Sequence, residues 1–221
     1  MPRKINFMFW KLFRLYPEPN AFLAKLELSL ALNYCSSALD VGCGKNSALK
    51  VFELKRLVGL EGYAPDAEAA RQLGTHDEII TGDLRQMDQH FKPGQFDVCV
   101  ALDVIEHLPK PDGLKMLRDM ERASAKRTII LTPNGFLPQF HTEDADLQQH
   151  LSGWEVAEMR AQGYKVIGLL GWKSLRGEYH MLKHKPKFFW SIVSLLTQLF
   201  WTRNRPEKAA AILCIKETGK A

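Results

Sequence analysis

Cysteine is scarce in this chain. Only four residues in 221 are cysteine (Cys35, Cys43, Cys99 and Cys214), and no two form a C-x-x-C pair. That scatter argues against a zinc ribbon or a disulfide framework and points to reduced thiols in a cytoplasmic protein. Long apolar runs are missing too. The most apolar stretch, residues 188–201, would make a helix of about 21 Å, short of the roughly 30 Å hydrocarbon core of a bilayer. The apolar segment near the N-terminus is broken by Lys11 and Arg14 and has no small-residue cleavage pattern, so no secretory signal is expected. No internal repeat is found, which removes solenoids. A length of 221 residues then predicts one α/β domain with a sizeable core.

A third glycine is also lacking where a dinucleotide-binding turn would want one. The stretch Ala38-Leu39-Asp40-Val41-Gly42-Cys43-Gly44-Lys45-Asn46-Ser47 closes a short apolar run with two glycines, and Ser47 holds the third position. The pattern predicts a strand over residues 35–41, a tight turn, and a helix over residues 47–55, the arrangement that lets backbone N–H groups approach a nucleotide. Gly42 and Gly44 permit the turn, and Asn46 is expected to tolerate a left-handed backbone there. Asp40, directly before the glycines, would repel a pyrophosphate but suits an amino or sulfonium group. A second strand over residues 56–60 ends in Glu61, placed to bridge two ribose hydroxyls. A third, over residues 79–84, ends at Asp83 and Leu84, where a carboxylate and the next N–H could address an adenine. A fourth, starting at Phe96, runs through Leu102 into Asp103-Val104-Ile105-Glu106-His107.

Taken together, residues 35–180 resemble the class I S-adenosylmethionine-dependent methyltransferases, closest to the small-molecule type 11 group. The resemblance implies an α/β fold: a doubly wound, mostly parallel seven-stranded Rossmann-like sheet. It implies S-adenosylmethionine as cofactor. Gly42, Cys43 and Gly44 would line its methionine part with Asp40 beneath, Glu61 would hold the ribose, Asp83 with Leu84 the adenine, and Leu102 would be a further cofactor-binding residue. The departure from the family is Lys45-Asn46, which keeps open a non-catalytic, methyltransferase-like binding module.

The remaining elements follow in order. Residues 1–34 should form helices, one over 5–16 and, with Asn20 as N-cap, one over 21–33 burying Phe22, Leu23, Leu26 and Leu30. The core spans residues 35–182, with strands alternating with helices as a parallel sheet requires. A helix after the fourth strand buries Leu114, Leu117 and Met120. Residues 127–132, 164–170 and 209–217 are the last three strands. Between the final two lies an insert, residues 183–208.

Charge is uneven. Of the net +5, residues 1–16 contribute +4 and residues 183–208 contribute +5, leaving −4 for the remainder. Both basic segments are rich in aromatics, which fits an anionic partner such as a membrane surface, or simple solubilisation. The insert could pack on the domain, roof a pocket, or lie in a membrane interface.

Methyl transfer is an in-line displacement that needs positioning and a deprotonated nucleophile. For a hydroxyl acceptor the candidate bases are His107, at the end of the fourth strand, and His150, in His150-Leu151-Ser152-Gly153-Trp154; His141 is a weaker candidate. Asp103, Glu106 and His107 also resemble a stretch of ubiquinone-biosynthesis O-methyltransferases in which a divalent metal assists; no metal is assigned here. The sequence favours O-methylation, at a hydroxyl or carboxyl, of a small, apolar or lipid-linked acceptor. RNA methylation is an alternative, set back by the absence of an Asn/Asp-Pro-Pro-aromatic pattern. A nicotinamide dehydrogenase is set back by Asp40 and the missing glycine.

Overall fold

The computed structural model describes residues 19–138 and 149–219. The expected helix over residues 5–16, the basic residues of that segment, and His141 lie outside the described residues. Seven strands, β1 (Ser37–Val41), β2 (Arg56–Glu61), β3 (Glu78–Thr81), β4 (Phe96–Leu102), β5 (Ser124–Pro133), β6 (Lys165–Trp172) and β7 (Ala209–Glu217), run in the order β3-β2-β1-β4-β5-β7-β6, the Rossmann-like arrangement expected from the sequence. The described residues divide into two compact units, those of 34–165 with 214–219, and 19–33 with 166–213.

In the first unit, β1 (Ser37–Val41), β2 (Arg56–Glu61), β3 (Glu78–Thr81), β4 (Phe96–Leu102) and β5 (Ser124–Pro133) form parallel ladders. Central strands of such a sheet are covered on both faces, so they read as unbroken apolar runs. Val98, Cys99, Val100 and Ala101 of β4 are accordingly all buried. The connecting helices are α2 (Ala64–Gln72), α3 (Met87–His90), α4 (Lys110–Ala123) and α5 (Val156–Ala161). Residues Gly113, Met116, Leu117, Met120 and Ala123 make the inner stripe of α4, rotated slightly from the expected one, so that Leu114 is only half-buried.

The helix expected over residues 47–55 is absent. Ser47 caps a single 3-10 turn, Ala48–Val51, and Phe52 is already extended. Four residues between that turn and β2 leave no room for a second helical turn.

The second unit holds α1 (Pro19–Ala31), β6 (Lys165–Trp172) from its second residue, α6 (Lys187–Thr197), a π turn (Gln198–Thr202), and the first part of β7 (Ala209–Glu217). Asn20 lies inside α1 rather than capping it. Its side-chain amide is buried and donates to Gln198 Oε1 at 2.9 Å. The inner face of α1 is Phe22, Leu28 and Ala31; Leu30, expected inside, is exposed. Arg203 forms a two-pronged ion pair with Glu27, at 2.6 and 3.1 Å.

Candidate active site

The strand order reverses between β1 and β4, and in open parallel sheets ligands bind beyond the carboxyl ends at that point. The register puts those ends side by side: Val41 pairs with Leu60 on one side and Ala101 on the other. Gly42, Glu61 and Leu102 therefore share one edge.

The glycine turn is built by contacts with β2 and β4. Gly42 has φ +67°, and a Cβ there would come within 2.7 Å of Val104, just past the end of β4. A side chain at this position is excluded on both counts. The N–H groups of Gly42 and Cys43 donate to Leu60 O at 2.8 and 3.3 Å. Gly44 (φ +55°) has open space where a Cβ would sit, and its N–H donates to Glu61 Oε2 at 2.8 Å. Asn46 does not take up a left-handed backbone, contrary to expectation; the positive φ values of the turn fall on the glycines. Its side chain instead accepts from Lys50 Nζ.

Glu61 is fixed from both sides, because its Oε1 accepts from Tyr63 N–H at 2.8 Å. An ionised carboxylate accepts about four hydrogen bonds. Two are used by Gly44 and Tyr63, and the other two can take a vicinal diol. Asp40 is buried: its Oδ2 accepts from the Ser47 hydroxyl and meets His76 Nε2 at 3.2 Å. The Cys43 side chain turns toward β2, with its Sγ 2.7 Å from the Cβ position of Gly59. Burial, and then the Asp40 and Glu61 carboxylates, push the Cys43 thiol up to about 12. Cys43 thus serves the turn with its backbone and the core with its side chain. Asp83 accepts from Arg85 through the backbone N–H at 2.9 Å and through the guanidinium at 2.7–3.0 Å. The Arg85 pair therefore occupies the carboxylate expected at an adenine. Leu84 opens the short 3-10 turn that follows, and Leu102 ends β4; both are half-buried.

His107 and His150, 43 residues apart in sequence, come together with ring centroids 4.9 Å apart in an edge-on arrangement. His107 ends the 3-10 turn Ile105–His107, directly after β4. His150 is brought in by a set of anchors on its chain neighbours. Leu151 and Ser152 donate their N–H groups to Glu106 O at 2.8 and 3.0 Å. Trp154, 1% exposed, donates Nε1–H to Ser152 Oγ at 2.9 Å, and Lys110 lies 3.8 Å over its ring. Each imidazole meets a backbone carbonyl through Nδ1, His107 at Gln149 O (3.2 Å) and His150 at Leu137 O (2.6 Å). A carbonyl only accepts, so each Nδ1 carries the hydrogen and the lone pair of the neutral ring sits on Nε2. Glu106 is buried beside them and accepts from the Thr132 hydroxyl at 2.9 Å. Burial, and then the Asp103 carboxylate, push the Glu106 carboxyl well above the usual range. Among the described residues, Glu106, His107 and His150 place one ligand atom each within 4.8 Å of one another, a set able to hold a divalent cation.

Sequence reading missed His76, Ser47, Arg85, Thr132 and Trp154. Only Ser47 carried a signal, as the polar residue that ends the glycine turn. The others reach the site through side-chain contacts that no local spacing announces.

Residues 39–137 match the type 11 family, described as a methyltransferase domain. No curated protein matches the chain. Among solved structures, the chain is similar to the plantazolicin methyltransferase BpumL in complex with S-adenosylhomocysteine, at 15% identity and a TM-score of 0.55 over 97% of this chain and 90% of that one. It is similar to a SAM-dependent methyltransferase from Archaeoglobus fulgidus, at 13% identity and a TM-score of 0.53 over 88% and 91%. The magnesium protoporphyrin IX methyltransferase of Synechocystis PCC 6803, with bound SAM, aligns at 18% identity and a TM-score of 0.44 over 65% of this chain and 67% of that chain.

Proposed function

We propose that this chain, whose residues 39–137 are a class I S-adenosylmethionine-dependent methyltransferase domain of the type 11 kind, methylates a hydroxyl group of a small apolar or lipid-linked acceptor. S-adenosylmethionine is its cofactor and supplies an electrophilic methyl group on a sulfonium. The strand ends fit that molecule. Open space at Gly44 leaves backbone room, Glu61 has two acceptor positions left for the ribose diol, and Asp40 puts negative charge beneath the turn.

The observation that carries the acceptor assignment is the His107–His150 pair. A carboxyl acceptor is already ionised at neutral pH and needs no base. A hydroxyl must lose its proton during transfer, and an imidazole with its lone pair on Nε2 is suited to take it. His150 is held by the Leu137 carbonyl and His107 by the Gln149 carbonyl, so each keeps its tautomer while Nε2 works. An apolar or lipid-linked acceptor suits a chain that exposes Phe188, Phe189 and Phe200.

The test is transfer of labelled methyl from the cofactor into lipid, RNA and metabolite extracts. The labelled product should be small or lipid-extractable and should keep its label through mild alkali, as an ether does. Release of labelled methanol would mean a methyl ester, and label in RNA would mean a nucleic-acid acceptor.

A second reading is favoured by the convergence of Glu106, His107 and His150. A divalent cation held by these three would occupy the imidazole lone pairs and lower the pKa of an acceptor hydroxyl, and so replace the imidazole base. Loss of turnover on chelation, restored by added cation, would assign this role; turnover unchanged by chelation would leave the imidazoles as bases.

A further inference from the structure

The helix α6 with its π turn is turned inside out. Its buried positions are polar: Ser194, Gln198 and Thr202. Each is hydrogen-bonded within its own unit. The Ser194 hydroxyl donates to Leu170 O at 3.0 Å and meets Arg176 Nη2 at 3.2 Å. Gln198 accepts from Asn20, and the Thr202 hydroxyl donates to Thr197 O at 3.3 Å. On the neighbouring β6, Gly168 and Gly171 let the helix lie directly on the strand. A Cβ at Gly168 would sit 2.0 Å from Thr202 O, and one at Gly171 2.3 Å from Ser194 O. Small and polar residues thus make the innermost contact, Trp190, Val193, Leu195 and Trp201 are half-buried at its sides, and the remaining apolar residues face out. Phe188 is 78% exposed and Phe200 82%, with Phe189, Ile192, Leu196 and Leu199 exposed between them. Positions 188, 192, 196, 199 and 200 fall on one helical stripe.

In water such a stripe is a large apolar patch of the kind that marks an interaction site. The charge around it identifies the medium. Residues 179–206 contain no acidic residue and five basic ones: Lys183, Lys185, Lys187, Arg203 and Arg205. The three lysines are exposed at the N-terminal end of the stripe, and Arg205 is exposed beyond its C-terminal end. Tyr179, Met181 and Trp172 add further exposed apolar surface in the same unit. No described helix is long and apolar enough to cross a membrane. A short helix with an aromatic outer face and flanking cations lies in the plane of an interface, its rings at the acyl boundary and its cations at the headgroups.

We infer that α6 and its flanking lysines form a surface that docks the protein on an anionic lipid bilayer. Nucleic-acid phosphates would satisfy the lysines but leave Phe188, Ile192, Leu196 and Phe200 in water. A second copy of the chain would cover the apolar stripe but would bring two sets of cations together.

The test is flotation of the full chain with phosphatidylcholine vesicles and with vesicles containing phosphatidylglycerol. The protein should float with the anionic vesicles at low salt, with a blue shift of tryptophan fluorescence. Each lysine near an anionic surface is worth about fivefold in partitioning, so Lys183→Gln/Lys185→Gln/Lys187→Gln should weaken binding about 100-fold. Phe188→Ser/Phe200→Ser should abolish it, with thermal unfolding unchanged because both rings are exposed. Absence of flotation, or equal flotation by wild type and both variants, would overturn the inference. Sedimentation velocity serves as a second arm. A dimer that dissociates in the phenylalanine variant, with no vesicle binding, would assign the stripe to a second copy instead. Cofactor binding is read separately, so failure here leaves the methyltransferase reading standing.

Discussion

Helices α4 and α6 are both amphipathic, and they are mounted in opposite senses. On α4 the apolar stripe Met116, Leu117, Met120 and Ala123 is buried in the strand-rich unit, and Arg118 is exposed to solvent. On α6 the polar stripe is buried against β6, and the aromatic stripe is left outside. Periodicity specifies that a helix has two faces. Which face turns inward depends on what the partner strand offers. Where β4 and β5 present large apolar side chains, the apolar stripe goes in. Where β6 presents glycines and backbone carbonyls, a close-packed polar stripe wins, and burial of the phenylalanines is given up.

The contrast is broken most severely by placing a charge on each helix. Met120→Asp buries an unpaired carboxylate and should cost about 3 kcal/mol or more, enough to unfold a marginal domain. The same change on α6, Phe200→Asp, should stay within about 0.5 kcal/mol in urea titrations. If both substitutions were equally damaging, α6 would not be inverted.

The next effect is chemical and belongs to the strand-rich unit alone. His107→Gln and His150→Gln should each lower turnover about 100-fold if that ring takes the proton, with binding of S-adenosylhomocysteine retained. Single-turnover rates read this; full turnover in both variants would make catalysis purely positional.

A smaller effect sharpens the comparison on the stability side. Burial raises the Asp97 carboxyl, but hydrogen bonds from Ser36 and the Lys126 ammonium outweigh it and hold it at about 2. A carboxylate depressed below its usual value of about 3.9 stabilises the fold fully above that pH, and the contribution is lost as pH falls through about 2. Allowing for the half-exposed lysine, the contribution is about 1–2 kcal/mol. Asp97→Asn should therefore be less stable than wild type at pH 7, and the difference should shrink as pH falls and vanish only below about pH 2. The smallest effect concerns Asp83: removing its exposed partner, Arg85→Ala, should leave thermal unfolding essentially unchanged, because an exposed, solvent-screened pair contributes little, while cofactor affinity reports whether the carboxylate serves an adenine.

Most of the sheet was legible in the sequence, because parallel strands buried on both faces appear as short apolar runs ending in turn residues. β2 and its terminal Glu61 were read residue by residue; the alternation from β1 to β5 was read with its ends shifted, since the strand expected over 79–84 stops at Thr81 and the one over 127–132 starts at Ser124. The helix after Ser47 was misread because the glycine turn predicts a helix start but says nothing of how soon the next strand must begin. Of the candidate site, the positions of Asp40, Glu61 and His107 near the carboxyl ends of β1, β2 and β4 were legible. Its other half was not. His76 reaches Asp40 from 36 positions away, and Trp154 fixes the chain beside His150 through contacts set by tertiary packing. The orientation of α6 was beyond sequence reading for the same reason. Ser194, Gln198 and Thr202 look like the solvent face until Gly168 and Gly171 are placed against them.

The central claim is that the cofactor is held at the carboxyl ends of β1 and β2, with Glu61 on the ribose. Isothermal calorimetry with S-adenosylhomocysteine tests it most directly, comparing wild type, Glu61→Ala and Phe200→Ser. Loss of charge-assisted hydrogen bonds worth roughly 1.5–3 kcal/mol predicts affinity about 10- to 100-fold weaker in Glu61→Ala, and unchanged affinity in Phe200→Ser. Equal affinity in wild type and Glu61→Ala would contradict the account.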